Sequence, residues 1–598
     1  MRLLADGGFM IETIAKAKYP DGIDLVDERS PEKSFELTRD LLAKGDVTIF
    51  EAAATVGKLH ARIDILQRKG DVLRLIEVKS SSIDGDNDVI SPFLTRKGTV
   101  SSDWRDYIWD VAFQVYALRL AFPEYNVVPY LCVVDKSQPV REAETLGRFA
   151  LAKDKGNPKA RPIVTYLGKL SDLASSALVC ERNVENEVKT VMGEVVGRTH
   201  ALAELISEKE VTRVQEDILG LYAECKGCLY RVAPGLKSGF DECWGKLAHA
   251  NPHILELHRV TQIGSTKVTD PVPGLLKRGS ATYLDLEEGD LGSEGSRQQR
   301  RLLQWKAMKE GGKEVIPGSL KAALAGHHAS PGWPLHFVDF EACDIALPHH
   351  AGLRPYERVA FQWSCHTVAK DGTLSHAEWL NTKMELPNFA FAASLRTRIG
   401  DSGTIYVWSH YEQTTLRKIL GQIVEWLHRD ANAAVAASGL PDKAALDDLA
   451  AWIDSVLGPE DEKGKRHPSR IKDLHDLALQ GYFHPMMGGR TSIKVVLPSV
   501  WTASEKVRTH PWFKQYLAVD KYGVPMDPYA TLPALPFGDE DAEDDVVREG
   551  TGAIRVYQDM LFASSTSAAE TEARSRLLRQ YCALDTAAMV MIWMHWTT

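Results

Sequence analysis

Leu59-His60-Ala61-Arg62-Ile63-Asp64-Ile65-Leu66, the turn Arg68-Lys69-Gly70-Asp71, and Leu75-Ile76-Glu77-Val78-Lys79-Ser80 are the stretch on which the reading of this chain turns. Side chains on a strand alternate between two faces. His60 and Asp64 are therefore expected on one face of their strand, and Glu77 and Lys79 on one face of theirs. The turn signal between the runs predicts a hairpin, which brings Asp64 beside Glu77. Two hard oxygen donors with an ammonium next to them are a ligand set that suits Mg²⁺. A cation held there lowers the pKa of water, and a lysine can orient that water or stabilise charge building on a phosphorane. The competing reading is a solvated strand face with an ordinary Glu–Lys pair.

Working outward, residues 1–45 read as helix with polar joins. Val47–Ala54, Lys58–Gln67 and Val72–Ser80 read as a β-meander, with Glu51 on its first strand as either a further carboxylate or a structural residue. Residues 103–121 read as a helix capped by Ser102 or Asp103 that carries Asp110 and Gln114 one turn apart. Tyr125–Val134 is a further strand, and 172–245 is mostly helical. Pro271, Pro273, Gly274, Gly289, Gly292 and Gly295 break up 246–330, a connector with a basic patch at Arg297, Arg300 and Arg301. A second β-rich start, Leu335-His336-Phe337-Val338-Asp339-Phe340-Glu341, is followed by a strand at Thr404–Trp408. Helices are expected at about 411–430, 442–457 and 570–594.

At 598 residues the chain exceeds a single hydrophobic core, since cores stop growing near ~250–300 residues. Its 44% hydrophobic and 25% charged residues are those of an ordinary globular protein. No run approaches a membrane span, and Met-Arg-Leu-Leu-Ala-Asp-Gly is not a secretory signal. Eight cysteines in this length point to reduced thiols and a cytoplasmic setting. A net charge of −10 excludes coating nucleic acid by bulk attraction but not a carboxylate-rich enzyme that acts on it. Part of that charge is the run Asp539-Glu540-Asp541-Ala542-Glu543-Asp544-Asp545, read as a solvated loop.

The order His60, Asp64, Glu77, Lys79 and Gln114 resembles the PD-(D/E)XK nucleases of the RecB-like and CRISPR-adaptation branch. The resemblance implies catalysis by these five residues and metal at Asp64 and Glu77. It departs where that branch places a tyrosine four residues after the glutamine; here the position is Leu118, and Tyr116 is two away. Cys225-x-x-Cys228 with Cys243-Trp244 resembles the same branch's cysteine group, implying an iron–sulfur cluster, or zinc in its place. The upstream cysteine ligand is missing, because no cysteine precedes Cys132. A truncated start or a lost cluster would explain this, and Cys180 or Cys132 are the substitutes. Buried free cysteines are the other reading.

In the C-terminal half, Asp339 and Glu341 end an apolar strand. Trp408-Ser409-His410-Tyr411-Glu412 follows another, and Tyr581-Cys582-Ala583-Leu584-Asp585 lies in a helical pattern. Four converging carboxylates suit two metals about 4 Å apart, clamping the attacking and leaving oxygens of a phosphodiester. The order resembles the DEDD-type RNase H-like 3'-to-5' exonucleases, implying metal at Asp339, Glu341, Glu412 and Asp585, with Tyr581 orienting water. Glu412 departs from the usual Asp. Asp473 is either a further acid or a helix N-cap. Gly488-Gly489-Arg490 ahead of Ser492 and Lys494 reads as a turn plus a solvated strand edge, with phosphate contact as the alternative. Cys343, Cys365 and Cys582 read as buried, inert thiols. Most tryptophans, Trp104, Trp109, Trp363 and Trp408 among them, read as core rather than base-stacking platforms.

Pro355-Tyr356, Phe361-Gln362-Trp363-Ser364, Ser492–Pro498 and Tyr581-Cys582 through Asp585-Thr586 resemble a bacterial family, domain of unknown function 2779. This resemblance spans nearly the whole chain. It implies an α/β multi-domain architecture: a RecB-like PD-(D/E)XK nuclease domain at 1–245 with its C-terminal Cys group, a helical connector at 246–330, and a DEDD-type RNase H-like exonuclease domain at 331–598. The function implied is a nuclease with two phosphodiesterase sites using Mg²⁺ or Mn²⁺. It would act on DNA ends, in DNA repair, recombination or phage defence. The alternatives are an RNA 3'-to-5' exonuclease, and a nucleic-acid-binding scaffold with one or both sites inactive. Nucleic acid is the expected partner, DNA before RNA, with no membrane; protein partners are unknown.

Overall fold

The computed structural model describes residues 2–85, 91–152, 161–207, 223–232, 236–262, 271–292, 295–460, 467–533, 547, 549–562 and 567–598. The protein is mixed α/β and multi-domain. It divides into two compact units: Met1–Val211 with Cys343–Arg358 and Phe562–Ser565, and Thr212–Ala342 with Val359–Leu561 and Thr566–Thr598. No helix among the described residues is long and apolar enough to cross a membrane. The acidic run 539–545 lies outside the described residues.

In the first unit, β1 (Ile23–Asp24), β2 (Val47–Val56), β3 (Leu59–Lys69), β4 (Val72–Ile83) and β5 (Asn126–Asp135) are sheet neighbours in chain order. β6 (Phe149–Ala152) and β7 (Ile163–Tyr166) pair separately, and β8 (Val179–Asn183) closes the main sheet beside β5. β2, β3 and β4 form an antiparallel meander, whereas β4 and β5 run parallel. A parallel pair needs a crossover, and the helix Arg105–Ala121 lies within it. That helix buries Ile108, Val111, Val115 and Leu118 in a core shared with Ile63, Leu73 and Leu75. Its N-cap is Trp104, which makes no side-chain capping bond, so neither Ser102 nor Asp103 caps it. The excursion Cys343–Arg358 belongs to this unit. Ala346 and Leu347 join a core with Phe50 and Ile76, and the Tyr356 hydroxyl donates to the Ser80 carbonyl.

The register of β4 against β5 shifts between Lys79 and Ser82, and β2 carries a backbone irregularity at Glu51, whose φ is +56°. The pairs Phe50 with Ile65 and Ala52 with Ile63 flank it, so Glu51 stands opposite Asp64. Regular alternation puts residues three apart on opposite faces. Ile49 and Ala52 nevertheless share one core, as do Ile63 and Leu66. The alternation thus slips at Glu51 and Asp64, and Glu51 adopts a conformation that is uncommon for a non-glycine residue and clusters at functional sites.

In the second unit, β9 (Leu335–Cys343), β10 (Val359–Val368), β11 (Leu374–Leu380), β12 (Thr404–Val407) and β13 (Ile471–Asp473) form one sheet. The spatial order is β11-β10-β9-β12-β13. β10 and β11 are antiparallel, whereas β12 is parallel to both β9 and β13. The helices Asn388–Ile399, Tyr411–Arg429 and Lys443–Leu457 bury Phe391, Leu395, Ile419 and Ile453 against Val338 and Phe340. The helix Ala568–Thr597 packs on β10.

Residues of the expected connector also belong to this unit. Arg300 and Arg301 are not a surface patch: they are 0% and 3% exposed. Arg300 donates to the carbonyls of Ala478 and Tyr482, and Arg301 to those of His258 and Leu291. A guanidinium carries enough donors to satisfy several carbonyls, and the Arg300 bonds tie the helix Ser296–Lys309 to Leu474–Gly481. Gly488 and Gly489 do form a turn; a Cβ on Gly489 would stand 2.1 Å from the Glu256 carbonyl oxygen. The next element is the helix Ile493–Ala503, not a strand edge. Val496, Leu497, Val500 and Trp501 are fully buried on it. Tertiary burial overrides the β preference of that branched run.

Candidate functional site

Two clusters of carboxylates form, one in each unit. In the first, the β3–β4 rungs run from Lys69–Val72 to Ile65–Ile76 and end one residue short of Asp64 and Glu77, which lie near enough to act on each other's charge. Asp64 Oδ2 accepts from the Val78 amide at 2.7 Å. Glu77 is 5% exposed. Lys79 Nζ sits 2.7 Å from Glu77 Oε1 and 2.8 Å from Asp110 Oδ2. Gln114 Nε2 donates to Glu77 Oε2 at 2.8 Å and to Asp110 Oδ1 at 3.2 Å. Burial raises the pKa of both Asp64 and Glu77; the Glu77 charge adds to the rise at Asp64, and Lys79 opposes the rise at Glu77. Burial works against the Lys79 ammonium, but Glu77 and Asp110 outweigh it and hold its pKa above the usual lysine value.

The structure brings Asp64, Glu77, Lys79 and Gln114 together and adds Asp110, one turn ahead of Gln114. Tyr107 lies beneath Lys79, with its ring 5.6 Å from Nζ. Tyr116 is not part of the cluster, since its hydroxyl meets His200. His60 is not brought in either: its Nδ1 meets Thr55 Oγ1 at 2.9 Å. Burial lowers its pKa, helped by Arg62 and opposed by Glu32. The expected shared face of His60 and Asp64 does not survive the slip in alternation at Asp64. Glu51 serves arginines, with Arg161 at 2.8 Å and Arg62 at 3.2 Å. It lines a cleft of about 1320 Å³ with Glu12, Phe50, Arg62 and Arg161.

In the second unit, Val338, Phe340 and Ala342 point into the core. Alternation sends Asp339 and Glu341 to the other face, toward the helix Ala568–Thr597. Cys582 on that helix places Sγ 3.4 Å from Asp339 Oδ2. Ligand atoms of Asp339, Glu341 and Cys582 all lie within 4.8 Å of one another. Glu412 enters from the first turn of the helix Tyr411–Arg429 and is 3% exposed. Its Oε2 is buried with no hydrogen-bond partner among the described residues. Asp585, one turn beyond Cys582, meets Lys494 Nζ at 2.5 Å and accepts from the Tyr529 hydroxyl.

This cluster is strongly self-repelling. Burial first, then the charge of Asp585, pushes Asp339 up to about 8. Burial and Asp339 hold both Glu341 and Glu412 well above the usual carboxylate range. Burial also raises Tyr581, with Asp585 the next cause. Converging acids that resist ionisation, with an orphaned carboxylate oxygen and a thiol beside them, fit a divalent cation. Asp339, Glu341 and Glu412 are the oxygens that would hold it. Cys582 is buried as expected but faces this acid group, so its position is not that of a bystander.

Asp473 caps a helix: its Oδ1 accepts from the His475 and Ser409 amides at 2.7 and 2.8 Å. Ser409 needs that anchor, because its φ is +83°. Cys225, Cys228 and Cys243 pack against the core formed by Phe240, Trp244 and Leu255. They are not among the ligand groups that the described residues gather within 4.8 Å. Cys132 and Cys180 lie in the other unit, on β5 and β8. Trp363 is buried in the core, and Trp104 and Trp109 are packed against theirs.

Tyr529 is a site residue that sequence reading missed, and Lys494 one that it named for phosphate contact but read first as part of a solvated strand edge. Lys494 had one usable signal, a lone lysine at the start of an otherwise apolar run; Tyr529 had none. A family model, Domain of unknown function (DUF2779), matches residues 336–492, which carry Asp339, Glu341, Glu412 and Asp473. No curated protein and no solved structure matches the chain.

Proposed function

We propose that this chain is a metal-dependent nuclease that hydrolyses phosphodiesters at DNA ends, with one site in each unit. The observation that carries the reading is the second unit's acid cluster. Asp339, Glu341, Glu412 and Asp585 come from three separate elements, far apart in sequence, and lie near enough for their charges to act on one another, with Lys494 and Tyr529 held at Asp585. Such a cluster costs folding free energy by itself, since like charges are buried together. A cation explains why it is built.

Two features support the finer fold readings. The strand order third-second-first-fourth-fifth, with the last two parallel to the first, agrees with an RNase H-like sheet. The meander, crossover helix and parallel fifth strand of the first unit agree with a PD-(D/E)XK core.

When bound, a divalent cation supplies Lewis-acid stabilisation of phosphodiester charge and makes water easier to deprotonate. The chain's own residues do the rest. Asp339, Glu341 and Glu412 hold the cation and fix its place. Tyr581 orients the attacking water, and Lys494 faces the negative charge that builds on the phosphoryl oxygens. In the first unit Asp64 and Glu77 are the cation ligands. Lys79 directs water or stabilises the departing oxygen, and Gln114 and Asp110 hold Glu77 and Lys79 in place.

The test is cleavage of end-labelled single- and double-stranded DNA with Mg²⁺ or Mn²⁺. Wild type, Lys79→Ala, Asp339→Ala and the double variant are compared. Each single variant is expected to lose a different set of products, and the double variant to be silent. Binding without cleavage under either metal would leave a nucleic-acid scaffold. Stronger competition by RNA than by DNA of equal length at fixed salt would reassign the substrate.

A further inference from the structure

Four converging carboxylates suit a centre with two cations about 4 Å apart. The second unit does not share its four evenly. Among the described residues, only Asp339, Glu341 and Cys582 form a ligand group within 4.8 Å. Glu412 adds a buried Oε2 with no hydrogen-bond partner among those residues. Asp585 stands outside the group, as Glu412 does, but its Oδ1 already meets a positive charge: Lys494 Nζ at 2.5 Å. The Tyr529 hydroxyl donates to the same oxygen.

The ammonium is also caged. Nζ lies 3.6 Å from the Tyr529 ring centroid and 4.4 Å from that of Tyr581. Aromatic faces attract a cation through their quadrupoles. Three groups thus hold Lys494 in one place, and its charge is felt at Asp339 and Glu341 as well. Its side chain keeps 30% exposure, enough to meet an incoming phosphate oxygen.

The geometry points to a centre that takes one divalent cation, at Asp339, Glu341 and Glu412 beside Cys582, with the Lys494 ammonium standing where a second cation would bind at Asp585. The inference rests on the metal-dependent reading above and sharpens it. An ammonium stabilises an oxyanion by charge and hydrogen bonding, but it is not a Lewis acid that acidifies water. Labour is thereby divided: water is prepared on the Asp339 and Glu341 side, and Lys494 faces the phosphate.

The experiment counts bound Mn²⁺ by calorimetry and electron paramagnetic resonance, with thymidine 5'-monophosphate at saturation. The full chain carries Asp64→Asn and Glu77→Gln to silence the first unit. One Mn²⁺ is expected, none when Asp339→Asn is added, one with Lys494→Arg, and two with Lys494→Gln. Lys494→Met is read alongside, so the result does not hang on the folding of one variant. Two Mn²⁺ before Lys494 is touched, or one in both neutral variants, would overturn the inference and leave the metal-dependent reading standing. No Asp339-dependent Mn²⁺ at all would overturn both.

Discussion

At Asp339 the free energy of folding and the chemistry of the site pull against each other. Its carboxyl sits near 8 in the folded protein against an ordinary value of 3.8. A raised acid stabilises the fold fully below its unfolded value, and that contribution is lost as pH rises through the folded value. The metal-free protein should therefore lose stability between about pH 4 and pH 8 through this group. A divalent cation favours the ionised form, so the melting-temperature gain from Mn²⁺ over chelator should grow across that window. A gain independent of pH in wild type, or one just as steep in Asp339→Asn, would contradict this. Gln114 allows a second test, because it touches Glu77 without carrying charge. Gln114→Ala should weaken metal affinity in the first unit by roughly 10–100-fold, the usual cost of losing a partner that orients a ligand. Titration calorimetry in an Asp339→Asn background checks it.

Among the elements, the start of the helix Leu474–Gly481 separates a structural acid from a catalytic one. Asp473 caps this helix and anchors Ser409 near Glu412. Asp473→Ala should cost about 1 kcal/mol of stability, as lost caps do. Its Mn²⁺ count should not change, and Asp473→Asn should recover most of the stability. A lost cation in the alanine variant would instead make Asp473 a ligand. The helix Ile493–Ala503 shows why local reading failed here. Ile493, Val495 and Val496 favour a strand by propensity, and Pro498 argues against a helix interior. Contacts with the helix Ala568–Thr597 decide otherwise, and they turn Lys494 toward Asp585.

For the whole molecule, the two units carry separate cores and separate acid clusters. Ligand binding stabilises the native state by mass action. Mn²⁺ should therefore slow amide exchange in two independent regions, 59–83 and the strands around 335–343. Asp64→Asn should abolish protection in the first region alone, and Asp339→Asn in the second alone. Hydrogen-exchange mass spectrometry resolves the two; loss of both in either single variant would refute independent sites. The units also differ from the bounds read along the chain. Residues from 212 onward and the expected connector fold with the second unit, and 343–358 with the first. Composition marks where local order breaks. It carries no trace of which core a broken segment will join.

By itself the sequence determined the meander, the hairpin that brings Asp64 near Glu77, the acids at Asp339 and Glu341, and the helical spacing of Tyr581 and Asp585. Periods of two and about four residues are local properties, and they are written in the order of side chains. Only the tertiary structure decided that the strand alternation slips at Asp64 and leaves His60 aside. It alone placed Cys582 against Asp339, and Lys494 and Tyr529 around Asp585. Those neighbours lie tens to hundreds of residues apart. No periodicity connects them, and burial of the helices that carry them is what brings them together.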